Sequence, residues 1–330
     1  MKRREVITLL GSTAATWPLA VRAQQTGRVR RIGWLIAAAE NDLGVRATRA
    51  AFQEELARLG WIEGHNVRTE IRFGVGDPDR LRAYAAELVG LVPDVIVTNG
   101  GAPTRALQER TQTIPIVFTG GPDAVAAGLV RNISRPEGNT TGFSGREPSI
   151  LGKSLELLKE AAPHLARVAI IFIPELAAAA PNYIASIEAS APTLGLNTIK
   201  TPVRNAVDIV QAIDAFATEL NGGIITLPPP YTTAIRDTIV QSAAHHRLPA
   251  IYPFREDTIA GGLLAYATDL RDQNRRAASY VDRLLRGAKV RELPVQFPTK
   301  FELIVNLKTA KAIGLDIPTK LIARADEVIE

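Results

Sequence analysis

Two doubly wound parallel-sheet lobes of the α/β class, joined by a hinge, are what this sequence predicts. Short continuous apolar runs such as Val95-Ile96-Val97 alternate with longer amphipathic segments, and parallel strands buried on both faces read as such runs. The alternation stops in a Gly- and Pro-rich stretch from Gly120 to Gly145 and then restarts. The length, 330 residues, suits about two domains. Hydrophobic residues at 46% and charged residues at 22% supply two cores and argue against disorder.

The elements follow in order. Arg31–Ile36 predicts a first strand and Val45–Leu59 an amphipathic helix that stops at Gly60. Val67–Phe73 alternates with period two, as a more exposed strand does. Asp77 then caps a helix with Pro78 at its first position, running to about Val89. Asp94–Thr98 and Ile114–Thr119 are buried strands flanking a short helix, Pro103–Arg110. After the break come a helix at Ser149–Ala162, a strand at Val168–Ile173, a helix at Asn182–Thr193 and a strand at Asn197–Val203. Helix Ala206–Leu220, strand Gly223–Leu227, helix Thr232–His245 and strand Ala250–Tyr252 continue the rhythm. Leu263–Tyr266 adds a strand, Gln273–Arg286 a long helix, Phe301–Val305 a strand and Lys308–Ile313 a helix. Two successive βαβα runs imply two parallel sheets, each with helices on both faces, and a hinge near residue 140.

Composition removes several functions. The chain has no cysteine, so thiolate metal sites, iron–sulfur clusters, disulfides and cysteine nucleophiles are excluded. His65, His164, His245 and His246 form no metal-ligand spacing, so no metal is expected. There is no Gly-x-Ser-x-Gly elbow, no P-loop and no dinucleotide fingerprint. No cofactor and no catalytic residue are therefore expected. Met1–Glu5 is basic, Val6–Ala20 is apolar, and Val21-Arg22-Ala23 resembles a small-x-small cleavage pattern. Residues 1–23 thus predict a signal peptide, whose apolar run Val6–Ala20 is shorter than the ~20 residues a membrane span needs. Arg3-Arg4 predicts twin-arginine export to the periplasm, although Lys2 stands where Ser or Thr is usual. Without residues 1–23 the net charge falls from +5 to +2, which gives no reason to invoke nucleic acid.

In open parallel sheets ligands bind beyond the carboxyl ends of the strands. In the first lobe this selects Ala37–Asn41, with Ala38 at its centre, then Asn99-Gly100-Gly101 and Thr119-Gly120-Gly121. Each glycine pair either lets the backbone approach a ligand or makes a tight βα turn, and the helix beginning near Pro103 offers N–H donors to a carboxylate. Asp123 caps the next turn or meets a ligand amine. In the second lobe the rule selects Pro174-Glu175, Pro228–Tyr231 (including Pro229) and Phe254–Glu256. Tyr231, Tyr252 and Phe254 form either an aromatic wall or ordinary core caps. Glu256 and Arg255 read a ligand's polar groups or pair at the rim.

Phe118-Thr119-Gly120-Gly121-Pro122-Asp123, Ala127-Gly128-Leu129-Val130 and Arg135–Phe143 carry a resemblance. So do Leu155–Lys159 before Pro163, and Pro298–Leu303 before Asn306–Lys311. Together they resemble the ABC-transporter substrate-binding family that includes tryptophan- and phenylalanine-binding members, across residues 28–330. The resemblance implies the type I periplasmic-binding-protein fold, with three crossovers and a small-molecule solute in the cleft. It implies lobe 1 as residues 28–140 plus about 265–290, and lobe 2 as 141–264 plus about 291–330. The implied function is capture for an importer by a monomer that meets an ABC permease in the inner membrane. The rivals are a periplasmic ligand sensor feeding a membrane receptor and a two-lobed α/β enzyme. Glu137 stands where a small residue is usual. Ser144 is the expected site residue, but Gly145-Arg146 follows it where binders of aromatic amino acids carry an acid. Aromatic acids, other carboxylates and small amides stay open as ligands.

Overall fold

The computed structural model describes residues 28–121, 124–125, 127–145, 149–174, 180–228 and 233–330. The expectations for the signal segment 1–23 and for Asp123, Pro229 and Tyr231 lie outside the described residues. Among the described residues no helix is long and apolar enough to cross a membrane.

The first sheet has strand order β2-β1-β3-β4-β5, all parallel. Its strands are β1 Arg30–Ile36, β2 Val67–Phe73, β3 Val95–Asn99, β4 Ile116–Thr119 and β5 Thr140–Phe143. The intervening helices are α1 Leu43–Arg58, α2 Pro78–Gly90 and α3 Gly101–Gln108. The predicted cap at Asp77 forms, and Asp42 supplies a second cap that the sequence reading did not include. Asp77 Oδ1 accepts from the Asp79 N–H at 2.8 Å, with Pro78 at the first helical position. Asp42 Oδ1 accepts from the Val45 N–H at 3.1 Å and so starts α1 earlier than its apolar pattern does. Helix α3 also begins early, because Gly100 turns the chain at φ +91° directly after β3.

The second sheet has order β12-β11-β10-β9-β8-β6-β7. In chain order its elements are α4 Ser149–Ala161, β6 Arg167–Phe172, α5 Ala180–Ser190, β7 Asn197–Pro202, α6 Ala206–Ala217 and β8 Gly222–Thr226. Then come α7 Thr233–His245, β9 Ala250–Tyr252, α8 Arg255–Ile259, β10 Leu264–Thr268 and α9 Leu270–Leu285. The chain ends with β11 Phe301–Asn306, α10 Leu307–Ile313, α11 Thr319–Ile322 and β12 Glu327–Ile329. The wholly parallel expectation is corrected here: β10 and β11 pair antiparallel. The chain leaves the second sheet after β10 and returns to β11 from the opposite direction.

That excursion ties the lobes together. Helix α9 follows β10 yet packs against α1 and β3–β5 of the first lobe. Its Ala277, Ala278 and Val281 join Trp34, Phe52 and Phe143 in one first-lobe core. A second cluster around Leu35, Leu88 and Ile116 covers the other face of that sheet. The second sheet is likewise sandwiched between two apolar clusters, one with Leu155 and Ile187, the other with Ile209 and Ile224. Of the strands at the expected lobe borders, Thr140–Phe143 pairs in the first sheet and Leu264–Thr268 in the second. Three chain segments cross between lobes, and they are cross-linked. Thr268 Oγ1 donates to Gly145 O at 2.9 Å, the Asp269 N–H to Lys300 O at 3.1 Å, and the Ser144 N–H to Gln296 O at 2.8 Å.

Candidate functional site

The carboxyl ends of β1, β3 and β4 lie side by side, and a hydrogen-bond chain runs across them. Trp34, fully buried in β1, donates its indole N–H to Asn99 Oδ1 at 2.8 Å. Asn99 Nδ2 donates to Thr119 Oγ1 at 2.8 Å. The two strand-end side chains singled out in the sequence are therefore brought together and held in one orientation. Beside them the Gly100 N–H donates to Thr119 O at 2.9 Å. No side chain caps α3, so its first turn keeps the partial positive charge of a helix N-terminus.

The glycines have a second use. A Cβ on Gly121, at φ +87°, would lie 3.1 Å from Gly101 N. A Cβ on Gly145 would lie 2.5 Å from Gly121 O, and the Gly145 N–H donates to that oxygen at 3.0 Å. The loops after β3, β4 and β5 thus stack in backbone contact, which side chains would prevent. Ser144 is fully buried in this stack. Its Oγ accepts from the Ala124 N–H at 3.2 Å and its carbonyl from Gln273 Nε2 at 2.7 Å. Its polar groups serve the crossover. Ala38 is half-buried against the first-lobe core.

In the second lobe Pro174 is exposed after β6. Tyr252, 4% exposed, packs within the apolar cluster beside Ile239 and Val240. Burial pushes its phenol up, and Asp257 adds to the shift. The residue occupies the core side of its strand end, the cap alternative weighed in the sequence. Phe254 and Glu256 are half-buried at the start of α8. With Arg255 they line a pocket of about 20 Å³ together with Ala47 and Thr48 of α1 and with Thr268, Asp269, Arg271 and Glu302. This pocket joins the lobes. Arg255 does not pair with Glu256 at the rim. Its Nε donates to Glu327 Oε2 at 2.9 Å.

The charges around the pocket are unequal in character. Burial pushes Glu256 above the usual carboxylate range and Asp42 adds to this, against Arg255 and Arg271. Burial and the charge of Asp269 also raise Glu302, although Arg271 donates to it at 3.0 Å. Asp269 goes the other way. Burial would raise it, but the Asp272 N–H and Lys300 Nζ, each 2.9 Å away, hold it down. Thr48, Asp269, Arg271 and Glu302 were not read from the sequence. Asp269 was within reach, since it directly follows β10 and the strand-end rule selects it once that strand is drawn to Thr268. Among the described residues no group of three or more His, Asp or Glu is placed to hold a metal ion.

Known proteins share this architecture. The chain is 23% identical over 268 residues to a tyrosine-binding protein of Clostridioides difficile, covering 81% of this chain and 76% of that protein. A crystal structure of a conserved domain protein from Vibrio cholerae superposes with a TM-score of 0.83 at 26% identity, over 91% of this chain and all of that one. The L-Trp complex of an ABC domain from Streptococcus pneumoniae superposes at 0.82 with 21% identity, over 91% of this chain and 99% of that one. The fold is the two-lobed α/β fold of periplasmic binding proteins. The family model for ABC transporter substrate binding proteins matches residues 36–329, and the chain belongs to that family.

Proposed function

We propose that this protein captures a small carboxylate-bearing molecule between its lobes, in the periplasm, and delivers it to an ABC permease for import. The observation that carries the carboxylate is the first-lobe shelf. Asn99 and Thr119 are locked side by side next to the uncapped N-terminus of α3, with glycines keeping the backbone accessible. Such a shelf offers N–H donors and a positive helix end to an anion. Proposed ligand contacts in the first lobe are Ala38, Asn99, Gly100, Gly101, Thr119 and Gly120, with Asp123 from the same loops. The second lobe supplies Pro174, Pro229, Tyr231, Phe254 and Glu256. The names of the relatives, one tyrosine-binding and one in complex with L-Trp, favour an aromatic amino acid or its analogue. The family relationship supports the permease as partner and supports binding without turnover. The basic, apolar and small-residue order of residues 1–23 supports export.

Thermal unfolding of residues 24–330 tests the reading against aromatic amino acids, the same rings bearing only a carboxylate, their amides, and sugars. A ligand at 100 times its Kd adds about 2.7 kcal/mol of stability. Stabilisation by acids and not by the matched amides is expected. Stabilisation by sugars or amides alone would refute the carboxylate site.

A further inference from the structure

Gly44, in the first turn of α1, and Glu256, in α8, approach each other across the lobe boundary. A Cβ built on Gly44 would lie 3.1 Å from Glu256 Cδ and 3.2 Å from its Oε1. Both partners sit on braced elements. Asp42 caps α1, whose Phe52 ring lies 4.6 Å from that of Trp34. In α8 the Phe254 N–H donates to Asp257 Oδ2 at 3.1 Å, and Asn306 Nδ2 holds Thr258 O at 3.1 Å. The face of α1 turned to α8 is made of small residues at positions i, i+3 and i+4. These are Gly44, Ala47 and Thr48, and Ala47 and Thr48 line the pocket with Glu256. Thr48 Oγ1 donates back to Gly44 O at 2.8 Å, which spends its hydroxyl within the helix. The neighbouring cations are committed elsewhere, Arg255 to Glu327 and Arg271 to Glu302.

We infer that Gly44 and Glu256 are a matched pair on which the lobes close, the glycine supplying the gap into which the glutamate docks. This rests on the binding-protein reading only in giving closure a purpose. The contact is weak by construction: the carboxylate gains a helix N-terminus and loses water, next to the like charge of Asp42. A contact so balanced lets a ligand decide between open and closed forms, whereas a paired salt bridge would hold the lobes shut.

The test uses labels far from the site. The chain has no cysteine, so Val92→Cys and Leu220→Cys place two unique spin labels on exposed positions, one in each lobe. Interlobe distances are then measured by double electron–electron resonance without ligand. The parent is expected to populate a short distance. Gly44→Asp sets a second carboxylate against Glu256 and should abolish that population, while acid in a first helical turn leaves α1 intact. Glu256→Ala in the same chain should restore it. Gly44→Ala, a smaller intrusion, should shift it partway. A parent without the short distance, a Gly44→Asp protein that keeps it, or a double variant that does not regain it would each overturn the inference. Once a ligand is known, its affinity should fall about tenfold in Gly44→Asp; the double variant is read by its interlobe distance alone, because Glu256 is itself a proposed ligand contact. Because the distances are read without ligand, a failed ligand screen counts against the proposed function alone.

Discussion

Trp34 and Asn99 are joined by a hydrogen bond of 2.8 Å that links the centre of the first-lobe core to the rim of the candidate site. Removing the amide strands the buried indole N–H and frees Thr119. Asn99→Ala should therefore cost about 1–3 kcal/mol in thermal or chemical unfolding. Asn99→Asp keeps the acceptor for Trp34 but loses the donor to Thr119 and brings a negative charge to the shelf. It should lose less stability than Asn99→Ala and more affinity for a carboxylate ligand. Calorimetry on both variants checks the split, and parallel losses in stability and affinity would contradict it.

Gly145→Ala should be among the most damaging small substitutions. Its methyl would fall 2.5 Å from Gly121 O, and backbone cannot step aside as a flexible side chain can. A cost of about 1–3 kcal/mol is expected. Gly138→Ala offers a contrast, since a Cβ there meets nothing within 4 Å and only its φ of +84° is strained. Denaturant unfolding of the two variants should rank Gly145→Ala as the worse.

What the sequence made legible follows from which interactions are local. Val67–Phe73 and Ala250–Tyr252 were bounded correctly, because periodicity and apolar runs reflect burial directly. β5 was missed because Thr140-Thr141-Gly142-Phe143 is short and follows a Pro- and Gly-rich stretch. It is a strand because Phe118 of β4 pairs with Gly142, where a side chain would strike the Phe118 backbone. α8 and β12 are similarly short, and they form through contacts distant in sequence such as Arg255 with Glu327. The strand-end rule selects Asn99, Thr119 and Glu256, but it does not tell inward from outward. Tyr252, weighed as part of an aromatic wall or as a core cap, turns into the core, and Ser144, which the family resemblance implied, is spent on the crossover. Thr48 carried no signal, since its place depends on a helix from the other lobe.

Glu256 should make closure depend on pH. Its carboxyl is raised by burial and by Asp42, with Arg255 and Arg271 opposing, and Asp269 and Glu302 face the same pocket. When the lobes part, the group returns to water and to its ordinary value of 4.5. The closed form thus holds its proton more tightly. Closure gains from protonation below that raised value and loses this gain as pH rises through it. The short interlobe distance should become more populated as pH falls toward 4.5. Glu256→Gln should flatten the response, and an unchanged pH profile in that variant would assign the effect to another group.

Asp269 should act with the opposite sign, on stability of the fold. Burial alone would raise its carboxyl, but the Asp272 N–H and Lys300 hold it below its ordinary value of 3.8. A carboxylate depressed in the folded state contributes stability above its unfolded value, and that contribution is lost as pH falls through the folded one. The Lys300 side chain is more than half exposed, so solvent screens its share, and the larger part comes from the hydrogen bond that starts α9. Asp269→Asn can still cap the helix but cannot carry the charge. It should therefore lower stability at neutral pH, and the gap between variant and parent should close as the pH drops below about 3.8. Lys300→Met should reproduce only a fraction of that gap. Unfolding midpoints measured across the acid range would reject the assignment if the gap stayed constant.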